Sequence, residues 1–349
     1  MCARPVTALV PLAAVEPGPE AHGSRVVARA PLQSAILDWY DRAGRSLTFR
    51  RTADPYAVLV SETMAQQTQI GRVEPAWERF MSEFPTVRVL AAAPAADVLR
   101  AWRGLGYNRR ALNLHRAARA VVERFGGELP RSVAALRTLP GVGPYTARAV
   151  AAIAFGLPVG AVDTNVRRVL GRIVLGEAEA PNDAAMQRLA DQVVPIGATG
   201  AWTHALMDVG ATLCRPRRPG CAVCPAAEWC SYSGFAQRPP NRAAVEHEAA
   251  AEQEAAPGPA PNAGQEMGPR WRSARGRRQA PVRFEATTRW LRGRILDRLR
   301  AADGDAWATV DGPIGLHSAP AVASVLAVLA AEGLLEIDAH DSSRARLPR

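Results

Sequence analysis

Four cysteines, Cys214, Cys221, Cys224 and Cys230, are separated by six, two and five residues. Thiolates this close in the chain all reach one centre, so the loop that carries them is expected to close on a metal. A disulfide framework is a poor fit, because the chain holds five cysteines, one of them the isolated Cys2, and lacks a secretory signal pattern. Only Cys221 and Cys224 form a C-x-x-C knuckle; the other two flank it singly. Structural zinc sites usually pair two knuckles or recruit distant histidines. Four cysteines in one short run also suit a 4Fe–4S cluster. Zinc stays open on spacing alone, and with either centre the metal staples a loop. Arg215, Arg217 and Arg218 lie between the first two ligands, where a rigid loop would present them to phosphates. The alternative is a solvated turn.

The charge balance points the same way. Forty-three basic residues against 33 acidic give +10, which suits a polyanion, nucleic acid ahead of a membrane surface. None of the basic residues is lysine, so lysine Schiff-base chemistry is excluded. No apolar run is long enough to span a bilayer, and the expected location is cytoplasmic, associated with the nucleoid.

The chain divides by pattern. Residues 1–30 read as a disordered extension. Residues 31–235 are helical almost throughout, with roughly ten amphipathic segments between Gly, Pro and Asp breaks. Residues 236–283 read as a disordered linker, acidic and then basic at Arg270–Arg283. Residues 284–349 read as a small winged-helix-like module of two helices and a two-stranded ribbon over Leu334–Asp338 and Ser343–Leu347. The expected fold class is all-α with this module appended.

Three segments of the helical region carry chemistry. Leu139-Pro-Gly-Val-Gly-Pro-Tyr-Thr146 joins two helices. Gly141 and Gly143 allow a tight turn with close backbone approach around Val142, and Pro144 suits a helix start. The free N–H groups at such a start bind anions. Pro55–Gln69 reads as one helix with Glu62, Gln66 and Gln69 on one face. A carboxylate there is either an awkward, costly core group or part of an exposed stripe; periodicity alone favours the stripe. Asp163 precedes an apolar helix, and its default role is the N-cap.

Taken together, DPYAVLVSETMAQQTQ (54–69), WRGLGYNRRA (102–111), LPGVGPYTARA (139–149), VDTNVRRVLGR (162–172) and the cysteine spacing resemble the MutY family of adenine DNA glycosylases, in the endonuclease III/MutY superfamily. The resemblance covers about residues 32–235. It implies two all-α lobes with DNA across the cleft: a six-helix lobe over about 55–160, and a cluster lobe of 31–54 and 161–235. It implies a 4Fe–4S cofactor on the four cysteines. It also implies a hydrolase acting as a monomer on double-stranded DNA with adenine opposite 8-oxoguanine or guanine.

In this family's pattern Glu62 protonates the flipped base. Asp163 stabilises an oxocarbenium-like sugar, Tyr145 assists and Asn165 orients Asp163. DNA contacts would come from Arg50, Gln66, Gln67, Thr68, Tyr107, Gly141, Val142 and Gly143, with Gln67 and Tyr107 wedging into the duplex. Tyr145 stands where the lyase endonuclease III has lysine. Thymine–guanine mismatch glycosylases share that tyrosine and are the alternative enzyme. An inactive, cluster-bearing DNA-binding protein is the alternative of another class. The chain departs from the family at Phe49, Ala65 and His204, and residues 236–349 do not resemble the Nudix-like domain of many relatives. The basic stretch Arg270–Arg283 is expected to add nonspecific DNA affinity, or else to be inert linker.

Overall fold

A computed structural model describes residues 29–176, 182–232, 283–302 and 304–349. The expected linker, apart from Arg283, and the N-terminal extension, apart from its last two residues, lie outside them. The described part of the core region carries eleven α-helices.

Helices α1 (Arg29–Ala43), α2 (Pro55–Ala65), α3 (Ile70–Glu83), α4 (Val87–Ala92) and α5 (Ala95–Ala101) come first. Then follow α6 (Arg109–Phe125), α7 (Val133–Leu136) and α8 (Pro144–Phe155). Pro55 opens α2 at its first position, and the Asp54 carboxylate accepts the Tyr56 and Ala57 N–H groups, which completes the cap. Nine residues of α2, Tyr56 to Met64, are buried. The helix therefore runs through the centre of its lobe and has no solvent stripe. Phe80, Leu99, Trp102 and Ala147 pack around it in one apolar core, with Trp102 edge-on to Phe80 at 5.9 Å.

A second core gathers α1 with α9 (Thr164–Leu175), α10 (Asp183–Gln192) and α11 (Thr199–Asp208), around Leu32, Ile36, Leu170, Met186 and Trp202. Leu47 and Phe49, expected with the cluster lobe, pack in the first core instead. After α11 the chain widens into a π-helical turn, Val209–Leu213, that delivers Cys214.

Two helices, α12 (Thr288–Arg300) and α13 (Ala319–Ala331), and a three-stranded antiparallel sheet make the C-terminal module. The strands β1 (Ala308–Thr309), β2 (Glu336–Ile337) and β3 (Arg344–Arg346) lie in the order β1-β3-β2. Ala345 of β3 faces both Ala308 and Ile337. The sequence shows a two-stranded ribbon; β1 has two residues, too few to leave an alternating pattern. The module's core, with Ile295, Leu299, Leu326 and Leu329, is continuous with the first lobe's. Arg300 pins it there, donating from Nε to the Leu99 carbonyl at 2.9 Å and from Nη2 to Asn108 Oδ1 at 2.7 Å.

One expected element is corrected. Pro55–Gln69 is not a single helix: α2 ends at Ala65 and α3 starts at Ile70. Between them Gln67 has a left-handed φ of 53°. The cause lies on α6, where the Arg110 guanidinium donates to the carbonyls of Thr63, Met64 and Gln66 at 2.8, 3.0 and 2.5 Å. These carbonyls are the ones a helix end leaves without partners, so the guanidinium takes over their capping and the chain turns away. Glu62, Gln66 and Gln69 therefore do not share a helix face.

Candidate active site

Glu62 sits near the end of α2 with only 9% of its surface exposed. Burial lifts its pKa from 4.5 to about 7, and nearby Asp163 adds a smaller push the same way; the neighbouring Tyr145 hydroxyl and Arg50 pull against it. The shift is on the order of 3 kcal/mol of preference for the protonated acid. Tyr145, in the first turn of α8, is itself pushed well above the usual tyrosine value by burial and by Glu62. It therefore stays a hydroxyl. Its oxygen also lies 3.8 Å from Met207 Sδ.

Asp163 belongs to the other lobe and is the N-cap of α9. Its Oδ1 accepts the Val166 N–H at 2.6 Å, and its Oδ2 accepts Asn165 Nδ2 at 3.1 Å. The default capping reading is thus correct, and capping is what fixes the carboxylate. Asn165 is held in turn by Arg168, which donates to its Oδ1 at 2.8 Å. Arg168 also donates to the Gly210 and Cys214 carbonyls, each at 2.7 Å. One run of hydrogen bonds therefore connects Asp163 to the cysteine loop.

Arg50 does not face solvent as a DNA contact would. Its side chain is 8% exposed and holds Asp208 through two parallel hydrogen bonds, both 2.9 Å. Arg45 adds its Nε and backbone N–H to the same carboxylate, each at 2.8 Å. Burial would raise the Asp208 pKa, but these bonds override it and hold the group below the ordinary value. His204, beside this knot, is driven to about 3 by burial and by Arg50, so it is neutral. Asp208 and Arg45 went unnoticed in the sequence. No local pattern joins residues 158 positions apart, as Arg50 and Asp208 are.

Gln66, Gln67 and Thr68 form the turn after α2. Gln66 Nε2 donates to Thr146 Oγ1 at 3.2 Å, and Thr68 Oγ1 accepts from Arg110 at 3.0 Å. Gln67 is exposed. Across from it Tyr107, also left-handed at φ 47°, is 47% exposed, with the guanidiniums of Arg110 and Arg289 5.5 and 5.0 Å from its ring. Left-handed backbone at non-glycine residues costs on the order of 1–2 kcal/mol each and clusters at functional sites.

In the hairpin, Gly141 has φ 77°, and a Cβ there would stand 2.6 Å from Asn113 Cβ. At Gly143 a Cβ would meet open space, so its absence leaves the backbone approachable. Both glycines are exposed, while the Val142 side chain is buried; any contact from Val142 is through its backbone.

The four cysteines, all half-buried, line one small cavity with Val169, Ile173 and Val209. Among the described residues no three His, Cys, Asp or Glu converge as ligands on a single ion would. The four thiols line that cavity together, and four cysteine sulfurs are a donor set that fits an iron–sulfur cluster. Burial, with smaller contributions from the other three sulfurs, pushes the Cys224 thiol up to about 11. Arg172 donates to Cys214 Sγ at 3.4 Å and to the Arg215 and Pro216 carbonyls at 2.9 Å. Arg215, Arg217 and Arg218 are exposed.

Comparison with known proteins places this geometry. Residues 60–195 match the HhH-GPD superfamily of base excision DNA repair proteins. The chain is 46% identical over 192 residues to an adenine DNA glycosylase of Mycolicibacterium smegmatis, covering 54% of this chain and 66% of that one. It is 38% identical over 291 residues to an adenine DNA glycosylase of Mycobacterium tuberculosis, covering 82% and 83%. Among solved structures, a thermostable thymine-DNA glycosylase superposes with a TM-score of 0.56 at 33% identity, over 59% of this chain and 97% of that one.

Proposed function

The chain belongs to the MutY-type adenine DNA glycosylases of the HhH-GPD superfamily, and on that premise we propose that it hydrolyses the N-glycosidic bond of adenine mispaired with 8-oxoguanine or guanine in double-stranded DNA. The observation that carries this reading is a buried Glu62, its pKa lifted to about 7, with Tyr145 and the Asp163 carboxylate of the other lobe nearby. An acid of that strength is still half protonated at neutral pH, which is the condition for general acid catalysis.

In this mechanism adenine is flipped into the cleft. Glu62 gives its proton to the base, which then leaves as a neutral group. The positive charge left on the sugar is met by Asp163, whose position is fixed by its capping bond and by Asn165. Water completes the hydrolysis. Tyr145 keeps its proton and orients the Glu62 carboxyl. The chain has no lysine, so strand cleavage through a lysine Schiff base is outside its chemistry. Gln67 and Tyr107 hold the duplex open, and the Gly141–Gly143 turn takes a phosphate of the strand that loses its base. Cys214, Cys221, Cys224 and Cys230 hold a 4Fe–4S cluster, which when bound ties the arginine-bearing loop down. The protein acts as a monomer, on cytoplasmic chromosomal DNA.

The likeness to a thymine-DNA glycosylase structure supports a second reading, removal of thymine opposite guanine. Base release is measured from three duplexes, with adenine opposite 8-oxoguanine, adenine opposite guanine and thymine opposite guanine, with Glu62→Gln as control. Adenine release abolished by Glu62→Gln is expected. Selective thymine release would favour the second reading. Tight binding without release from any duplex would favour an inactive DNA-binding protein.

A further inference from the structure

A cleft of about 890 Å3 opens between the two turns that carry Gln67 and Tyr107 and helix α12 of the C-terminal module. The chemistry above makes no use of its α12 wall. Seven arginines line the cleft against two acids, Asp297 and Glu332. Several of those arginines are already committed. Arg292 pairs with Glu332 at 2.5 Å, Arg300 anchors the module, and Arg110 caps the Gln66 turn. Arg72, Arg109 and Arg289 have no acid partner among the described residues, and all three are exposed. They come from α3, α6 and α12, so two walls of the cleft present uncompensated positive charge. Arg289 also lies over the Tyr107 ring at 5.0 Å, so the module touches the wedge itself. Because Arg300 fixes α12 to Leu99 and Asn108, these charges are preorganised.

We propose that this cleft seats the sugar–phosphate backbone of the DNA strand carrying the base opposite the excised one, with Arg289 and Arg72 as phosphate contacts. The inference rests on the reading of the Glu62 pocket as the place of the flipped base. Gln66 contacts Thr146 on the α8 side, where the hairpin glycines and Glu62 lie; the strand that loses its base belongs there. Gln67 and Tyr107 stand between that side and α12. A duplex parted by them sends its other strand into the arginine-lined cleft. The two-helix module then serves as a clamp on the partner strand, built without a Nudix-like domain.

The test uses the full chain and a duplex with adenine opposite 8-oxoguanine. Affinity is measured against salt for the wild type, Arg289→Ala, Arg72→Ala and the double variant. Each lost phosphate contact flattens the slope of log K against log salt by about 0.9, so the double variant is expected to flatten it by about 1.8. Arg119→Ala, an exposed arginine on α6 paired with Glu123, controls for net charge and is expected to keep the wild-type slope. Methylphosphonates, which remove single phosphate charges, are then placed one at a time on each strand. One or two positions on the partner strand are expected to weaken wild-type binding yet leave Arg289→Ala unaffected. Unchanged slopes, equal flattening by Arg119→Ala, or sensitivity only on the strand that loses its base would overturn the proposal. Failure of the active-site reading looks different: no base is released from any duplex, while the slope and partner-strand effects persist.

Discussion

Glu62 and Asp208 are both buried carboxyls next to Arg50, and they titrate in opposite directions. Asp208 receives two bonds from the Arg50 guanidinium and two more from Arg45 and stays ionised. Glu62 feels Arg50 only at a distance, has a neutral hydroxyl, Tyr145, for a neighbour, and is lifted to about 7. Burial is common to both, so the partner decides the charge state. The Arg50–Asp208 pair also consumes most of the cation's field.

The comparison breaks most sharply at Glu62. Glu62→Gln is expected to slow single-turnover base release by about 100- to 10,000-fold with DNA binding retained. In the wild type the same rate, followed against pH at saturating enzyme, is expected to fall about tenfold per unit above pH 7, as the acid loses its proton. A profile flat from pH 6 to 9 would show that Glu62 does not act as the acid.

Breaking the other carboxyl is expected to damage the fold. Asp208→Ala leaves Arg50 buried without its partner, and thermal or urea unfolding is expected to show a loss of about 3–5 kcal/mol. Full stability in that variant would mean the pair is not buried in solution.

Stability against pH sharpens the contrast further. The folded pKa of Glu62 lies above its unfolded value, so the native state binds the extra proton. Its ionisation costs stability progressively as pH rises from 4.5 towards 7 and by a constant amount above that. Glu62→Gln removes this cost and is expected to stabilise the fold by up to about 3 kcal/mol at pH 8 and little at pH 4. The enzyme would thus be less stable than its inactive variant, which calorimetry at the two pH values would reveal. The smallest effect is at the turn beyond α2. Gln67→Gly is expected to gain about 1 kcal/mol by relieving left-handed backbone while weakening binding to mismatched duplex.

Local patterns in the sequence carried some of this. The cap at Asp163, the proline starts of α2 and α8 and the hairpin glycine at 141 each follow from one residue's own backbone preference. The cysteine cavity follows from spacing. Burial of Glu62 was hidden, because α2 is covered on nearly every side and helical periodicity assumes one wet face. The Gln66 turn was hidden too, because the donor that ends the helix, Arg110, lies 44 residues further on. Arg50 illustrates the same limit. Its resemblance to a family position suggested DNA, whereas its partner, Asp208, is visible only once the chain is folded.

The left-handed Gln67 and Tyr107 have one more consequence. A flexible probe loses conformational entropy each time it inserts into a duplex. These two side chains are mounted on turns that have already surrendered that freedom, one locked by Arg110 and the other flanked by two guanidiniums. Encounter with DNA therefore asks little rearrangement of the protein, and the work of opening falls on the helix it meets. On the proposed wedge role, damaged or mispaired steps, which unstack more easily, would yield to such a fixed wedge first, and lesion search would begin as a mechanical test of the DNA.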